Sequence, residues 1–130
     1  MAHSQNVKTI PTSEYEDVKA ALDGYLEGLV TGDFIRITDS FWDNATMHGF
    51  TSDGLTEGSY RNLDPYVAQF GAAPASVTHL DVLAITPTSA VVRIDMENAA
   101  DGTDYTDFHT LLKQDGTWKV IAKVFHQYGN

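Results

Sequence analysis

Apolar residues recur at helical spacing near the start of the chain and predict two consecutive helices. Ser13 stands three residues before Glu16, the spacing of a capping box, and Gly32 is placed to end this first helix. Its apolar stripe consists of Tyr15, Val18, Leu22, Tyr25, Leu26 and Leu29. Asp33 is placed to cap the second helix, whose stripe is Phe34, Ile37, Thr38 and Phe41. Residues 1–11 are expected to form a loose lead-in, and residues 12–130 a single domain.

Alternation of apolar and polar residues then predicts strands. A short strand is expected over 46–50 and a turn over 51–54, before a short helix that Asp64 and Pro65 open. Four longer strands are predicted over 77–85, 89–97, 104–113 and 117–128. Helices followed by strands indicate an α+β fold, with the helices gathered on one face of a mostly antiparallel sheet.

The dipeptide Asp115-Gly116 predicts a two-residue hairpin turn between the last two strands, because these residues readily adopt the positive φ angles that the turn needs. Leu111 is then paired with Val120, and strict alternation assigns every other side chain to a face. The apolar face carries Tyr105, Asp107, His109, Leu111, Trp118, Val120, Ala122, Val124 and His126, and is joined by Ala90, Val92, Ile94 and Met96. The opposite face carries Thr106, Phe108, Thr110, Lys119, Ile121, Lys123 and Phe125.

A carboxylate and an imidazole interrupt the apolar face. Asp107 and His109 lie two apart on one strand, so their side chains project from the same side. Desolvation there is expected to raise the pKa of Asp107, which would suit it to act as a general base with His109 as its orienting partner or second acid. The alternative is a core polar cluster in which these two residues bond each other, Tyr25 or Tyr105.

Composition narrows the classes of function. The 130 residues carry a formal net charge of -10, which argues against nucleic acid and anionic membranes as partners. No apolar run approaches the ~20 residues of a membrane helix. The absence of cysteine excludes disulfides and thiolate sites, and fits a cytoplasmic protein. No histidine pair at helical spacing completes a metal site, so neither a metal nor a cofactor is expected.

Two segments carry a family resemblance: residues 24–50, which include Trp42-Asp43-Asn44-Ala45-Thr46-Met47-His48, and residues 107–126, which include Asp107-Phe108-His109-Thr110-Leu111. Both resemble the NTF2-like superfamily, which includes the SnoaL-like cyclases and ketosteroid isomerase, and most closely its branch of putative lumazine-binding proteins. The resemblance implies a cone-shaped, strongly bent sheet wrapped around the helices, with an apolar pocket between them. It also implies a homodimer through the outer sheet face, here with Phe108, Ile121 and Phe125.

Further candidates follow from this pocket. His48 is a candidate catalytic residue, as a polariser of a ligand oxygen. The segment Val77-Thr78-His79-Leu80 resembles the segment that carries a catalytic histidine in scytalone dehydratase, so His79 is a further candidate. His126 is expected near the rim of the pocket. The residues expected to line the pocket and bind a ligand are Tyr25, Trp42, Phe50, His79, Val92, Met96 and Trp118.

Three functions are compatible with these features. The first is a protein that binds a small hydrophobic or aromatic molecule without turnover. The second is a cofactor-independent lyase or isomerase in which Asp107, His109 and His48 or Tyr25 carry acid–base chemistry. The third is a dimeric interaction module whose pocket is vestigial.

Overall fold

The computed structural model describes residues 8–129, so most of the expected lead-in, residues 1–7, lies outside the described residues. The helices are α1 (Thr12–Ala20), α2 (Asp23–Thr31), α3 (Phe34–Thr38) and α4 (Leu63–Phe70), with a 3-10 turn over Tyr60–Asn62. The strands are β1 (Phe41–Thr51), β2 (Gly54–Thr56), β3 (Val77–Ile85), β4 (Ser89–Glu97), β5 (Tyr105–Gln114) and β6 (Thr117–Gln127). No helix in this described part is long and apolar enough to cross a membrane.

One sheet contains all six strands, in the order β2-β1-β6-β5-β4-β3. All its neighbouring strands are antiparallel except β1 and β6, which run parallel. The buried side chains of the helices and of the sheet form a single core. The predicted α+β class, with N-terminal helices on one face of a mostly antiparallel sheet, is confirmed.

The predicted first helix is broken in two. Helix α1 ends at Ala20 and α2 begins at Asp23, with Leu22 fully buried at the junction. Pro11 is the N-cap residue of α1, and Ser13 makes no capping hydrogen bond, so the predicted capping box is wrong. Gly32 does end α2, in the left-handed conformation with φ 75°. The Asp33 carboxylate accepts a hydrogen bond from the Arg36 amide and caps α3, as predicted.

The other predicted elements differ mainly at their ends. The short strand expected over 46–50 is the second half of the longer β1. Helix α4 begins at Leu63, so Asp64 lies in its first turn and does not cap it. The hairpin turn is confirmed, because Asp115 and Gly116 have φ angles of 50° and 79° and Gln114 pairs with Thr117.

A row of irregularities crosses the sheet. Strand β3 has one extra residue between Val82 and Ala84, and β6 has one extra residue, Ile121, opposite the Thr110–Leu111 step of β5. Strand β1 is irregular between Phe41 and Thr46, which pair with Val120 and Ala122 of β6. The paired residues on one side of the row are Ala84, Val91, Thr110, Ala122 and Thr46. Because a bulge bends its strand, this row of irregularities favours a bend of the sheet at this level.

Candidate functional site

Asp107 and His109 lie next to each other on the inner face of β5. Their side chains are almost completely buried, with residue exposures of 2% and 0%. The distance between His109 Nε2 and Asp107 Oδ2 is 3.4 Å, a long hydrogen bond. The Nδ1 atom of His109 and the Oδ1 atom of Asp107 have no hydrogen-bond partner among the described residues.

Tyr25 comes to this pair from helix α2. Its hydroxyl donates a hydrogen bond of 2.7 Å to Asp107 Oδ2, and its ring lies edge-on to the His109 ring with 4.9 Å between centroids. The backbone amide of Tyr25 donates to Oγ of the buried Ser40, which ties α2 to the start of β1. Burial and the neighbouring Asp107 carboxylate raise the pKa of Tyr25 well above its ordinary value, so the phenol remains a donor.

Lys123 completes the cluster from β6. Its Nζ atom is 3.9 Å from Asp107 Oδ2 and 3.8 Å from Met47 Sδ. The same nitrogen lies over the rings of Tyr25 and Phe125, at 5.2 and 5.0 Å from their centroids. The residue is only 5% exposed. The side chains of one buried cluster therefore come from three elements, β5, α2 and β6. The cluster consists of Asp107, His109, Tyr25 and Lys123.

Burial and the charges of the cluster together determine the pKa of each member. Burial alone would raise the pKa of Asp107, but the charge of Lys123 and the contacts with His109 and Tyr25 outweigh it and place this pKa below its ordinary value. The predicted rise in the pKa of Asp107 is therefore wrong, because the prediction contained no cation beside it. Burial lowers the pKa of His109 and that of Lys123, and the Asp107 carboxylate opposes both shifts only in part.

An apolar cavity of about 140 Å³ adjoins the cluster. Tyr25, Asp107 and Lys123 form part of its wall, and the remainder is mostly apolar: Leu29, Met47, Leu63, Ala73, Met96, Ala99 and Phe125. The exposed Asn62 and the half-buried Thr51 and Thr56 also line it and mark its open end. Enclosed apolar walls with a few ionisable groups are the usual composition of a small-molecule site.

A second set of hydrogen-bonded side chains, Tyr105, Asp101 and Gln127, lies beside the cavity wall near β5 and β6. The Tyr105 hydroxyl donates to Asp101 Oδ2 at 2.5 Å, and the side-chain amide of Gln127 donates to the same oxygen at 3.2 Å. Burial raises the pKa of Tyr66, a further wall residue, to about 12. Burial and the hydrogen bond to Asp101 also raise the pKa of Tyr105, so the phenols of Tyr66 and Tyr105 stay protonated at neutral pH. Within residues 8–129 no three histidine, aspartate or glutamate side chains are grouped so as to hold a metal ion.

Comparison with known proteins agrees with this architecture. Residues 13–126 match the profile of the family described as "Putative lumazine-binding". The chain belongs to this family. A relative from Cladobotryum sp, named aldolase FrzH, is 36% identical over 121 residues, which cover 93% of this chain and 97% of the relative.

Solved structures place the family within the NTF2-like fold. An NTF2-like protein of unknown function from Shewanella baltica superposes with a TM-score of 0.86 at 30% identity, over 95% of this chain and all of that one. A ketosteroid isomerase-like protein from Erwinia carotovora atroseptica superposes with a TM-score of 0.71 at 17% identity, over 92% of this chain and all of that one. At that identity the second match speaks for the fold alone. The resemblance to the NTF2-like superfamily is confirmed.

The predicted site residues of this family member fall into two groups. Tyr25, Met96 and Asp107 line the cavity, and His109 lies directly behind Asp107. Val92 is fully buried opposite His109 and does not line the cavity. The other expected wall residues, Trp42, Phe50, His79 and Trp118, and the candidate His48 lie elsewhere.

The residues that were expected to line the cavity but lie outside it have different environments. The indole nitrogen of Trp42 donates to the Leu112 carbonyl, and that of Trp118 donates to Glu14 of α1. His79 is exposed on the edge strand β3, where its ring contacts Asp81. Phe50 is 57% exposed.

The β6 bulge reverses the predicted faces beyond Ile121. His109 pairs with Lys123 and Asp107 with Phe125, instead of the predicted Ala122 and Val124. Lys123 and Phe125 therefore face the cavity, and Val124 and His126 face outward. His48 pairs with Val124 and shares that outer face. Phe125, expected on an outer dimer face, is only 8% exposed.

Sequence reasoning missed Lys123, Met47 and Phe125 as wall residues. A signal for the reversal was present, since Val120, Ile121 and Ala122 are three consecutive apolar residues that break the alternation of β6. Such a run allows a strand to change face without burying a polar side chain at the bulge.

Proposed function

We propose that this protein is an enzyme that binds a small apolar carbonyl compound and transfers a proton at the carbon beside the carbonyl group. The observation that carries the proposal is the buried Asp107 carboxylate at the cavity wall. Tyr25 donates to its Oδ2 atom, and its Oδ1 atom has no partner in the part of the chain that the structure describes. Polar groups in a protein interior are ordinarily satisfied, so an unpaired oxygen beside a cavity favours a role toward a ligand. Asp107 is the base, and Tyr25 and His109 hold its carboxylate in place.

The size of the cavity limits the substrate. An apolar cavity of roughly 150 Å³ in another protein accommodates one benzene molecule. The cavity of about 140 Å³ therefore suits one six-membered ring, with the rest of a larger ligand extending past Asn62 and Thr56. The reactive carbon would lie beside Asp107.

The reaction class follows from the same chemistry. Removal of a proton next to a carbonyl produces an enolate, which can reprotonate elsewhere or add to a second carbonyl. The second outcome is an aldol reaction, and the 36% identical relative is named an aldolase. We therefore favour aldol-type chemistry over the dehydration and isomerisation that the same base would also serve.

The test uses cyclohexanone as a one-ring probe in heavy water. Proton NMR follows the loss of its signals next to the carbonyl as deuterium replaces hydrogen. The wild-type protein should accelerate this exchange, and Asp107→Asn should slow the catalysed rate by about 100-fold or more, the contribution expected of a general base. Asp115→Asn is the matched control, because Asn tolerates the positive φ of this exposed turn residue. Equal rates for the wild type and Asp107→Asn would contradict the proposal.

A second candidate function is binding without turnover. The mostly apolar wall and the family's description as lumazine-binding support it. Fluorescence titration with lumazine, together with NMR detection of bound cyclohexanone, measures it directly. Binding of either molecule with no deuterium exchange would favour this candidate over the enzyme.

A further inference from the structure

Lys123 is a buried amine that has no good hydrogen-bond acceptor among residues 8–129. Asp107 Oδ2, at 3.9 Å, is too distant for a hydrogen bond, and the thioether sulfur of Met47 is a weak acceptor. The amine also lies over the faces of two aromatic rings, Tyr25 and Phe125. A buried lysine used only for structure is normally held in a close ion pair with further hydrogen bonds. Its burial at the cavity wall therefore needs another explanation.

We propose that Lys123 is the nucleophile of the site and forms a Schiff base with the carbonyl group of the ligand. The inference rests on the proposed function and identifies how the carbonyl compound is activated. Geometry supports it, because Lys123 and Asp107 line the same cavity from neighbouring strands, and Lys123 Nζ is 3.9 Å from Asp107 Oδ2. Desolvation is a recognised way in which proteins make a lysine nucleophilic, and burial lowers the pKa of Lys123 in this protein.

The step balances with these two residues alone. The Lys123 ammonium gives one proton to the Asp107 carboxylate, and the free amine attacks the carbonyl carbon as the carbonyl π electrons move to oxygen. Asp107 returns that proton to the oxygen, takes a second proton from the nitrogen, and delivers it to the resulting hydroxyl. The hydroxyl leaves as water while the nitrogen lone pair forms the C=N bond. An ammonium and a carbonyl thus become an iminium and water, and Asp107 is again a carboxylate.

The iminium then makes the neighbouring carbon acidic. When a proton leaves that carbon, the electrons of the C–H bond form a C=C bond to the iminium carbon. The π electrons of the C=N bond move onto nitrogen and neutralise its positive charge, which yields an enamine. Asp107, ionised after the previous step, is the base beside that carbon. One lysine and one carboxylate are therefore sufficient both to activate the ligand and to remove its proton.

Reductive trapping tests the covalent step in the wild-type protein. The protein is incubated with cyclohexanone and sodium cyanoborohydride, which reduces an iminium to a stable secondary amine. Intact mass spectrometry should show the addition of one cyclohexyl group, and peptide mapping should locate it on Lys123. The chain contains four other lysines, Lys8, Lys19, Lys113 and Lys119, which serve as internal controls for non-specific labelling. Labelling of Lys123 no faster than that of these lysines would overturn the inference.

Two variants separate this inference from the proposed function. Lys123→Met keeps an unbranched side chain and should lose both the adduct and the catalysed deuterium exchange. Lys119→Met, which alters a lysine over the Trp42 ring and outside the cavity, should retain both. Exchange at the wild-type rate in Lys123→Met would overturn the Schiff base and leave Asp107 as a base acting alone. An adduct on Lys123 without exchange in the wild type would support the Schiff base and contradict the proposed function. Trapping needs no variant, so it remains decisive if Lys123→Met fails to fold.

Discussion

His109 is an imidazole with no solvent exposure, and its one polar contact within the described residues is the long one to Asp107. Burial lowers its pKa, since a charged imidazole would lose its hydration without gaining a second partner. At neutral pH the ring is therefore uncharged and serves as a packing surface for Tyr25 as well as a neighbour of the carboxylate. We infer that His109 positions Asp107 and does not itself touch the ligand, since it is absent from the cavity wall.

A pH dependence of stability follows from this burial. In the unfolded chain the imidazole titrates near pH ~6.5, whereas in the folded protein it titrates lower. Below about pH 6.5 the unfolded state therefore binds more protons, and the free energy of unfolding must fall as the pH decreases. His109→Gln should remove this part of the slope when urea unfolding is measured between about pH 7.5 and pH 5.

The control for His109 is His79→Gln, which alters a histidine on the exposed edge strand. It should retain the part of the slope that His109 contributes. Asp107, whose pKa is also lowered, contributes stability that is lost only as the pH falls below about 3.8, so the two contributions occupy different pH ranges. An unchanged slope in His109→Gln would show that the imidazole does not titrate as its burial requires.

At the scale of elements, one extra residue in β6 determines the composition of the site. The Asp115-Gly116 turn made the pairing of Leu111 with Val120 predictable, because turn type sets register. No glycine or polar residue marks the bulge at Ile121, and a one-residue shift exchanges every later side chain between the faces. Asp107 and His109 could be identified from alternation within a single strand. The face of Lys123 depends on the irregularity between two strands, for which the apolar run 120–122 was the one signal in the sequence.

Gly49 of β1 accommodates the inward turn of Phe125. The two residues are paired across β1 and β6, and a Cβ atom on Gly49 would overlap the carbonyl oxygen and the ring of Phe125. The backbone carbonyl cannot move without disturbing the pairing of the strands. Only glycine therefore allows the aromatic ring to lie over β1 and form part of the cavity wall.

Gly49→Ala should therefore destabilise the protein by about 1–3 kcal/mol, the usual cost of overpacking. It should also weaken cyclohexanone binding, because Phe125 would be displaced within the cavity wall. Urea unfolding and NMR titration measure the two effects. Gly129→Ala is the matched control, since a Cβ there meets no atom within 4 Å. Wild-type stability and binding in Gly49→Ala would contradict this role.

At the scale of the whole molecule, the outer face of the sheet is unusually apolar. Phe108 and Val124 pair directly across β5 and β6 and are 41% and 50% exposed. On β1, Phe50 lies two residues beyond His48, which pairs with Val124, and Phe50 is 57% exposed. Alternation counted from the hairpin turn predicted an apolar outer face, and the family resemblance implied that this face forms a homodimer. Which residues lie on this face could be predicted only with the bulge, which removes Phe125 from the outer face and places Val124 there.

We propose that this outer face forms the homodimer expected from the sequence. Burial of paired aromatic and β-branched side chains is favourable, and the neighbouring Arg93 already packs over the Phe108 ring. The net charge of -10 on each copy opposes association, so added salt should strengthen the dimer. Phe108→Asp places a further negative charge at the centre of the face and should give a monomer in size-exclusion chromatography with light scattering. Ile35→Asp is the control, since Ile35 is 79% exposed but belongs to helix α3. A wild-type protein that remains monomeric at high salt, or a Phe108→Asp variant that stays dimeric, would contradict the assignment of this face.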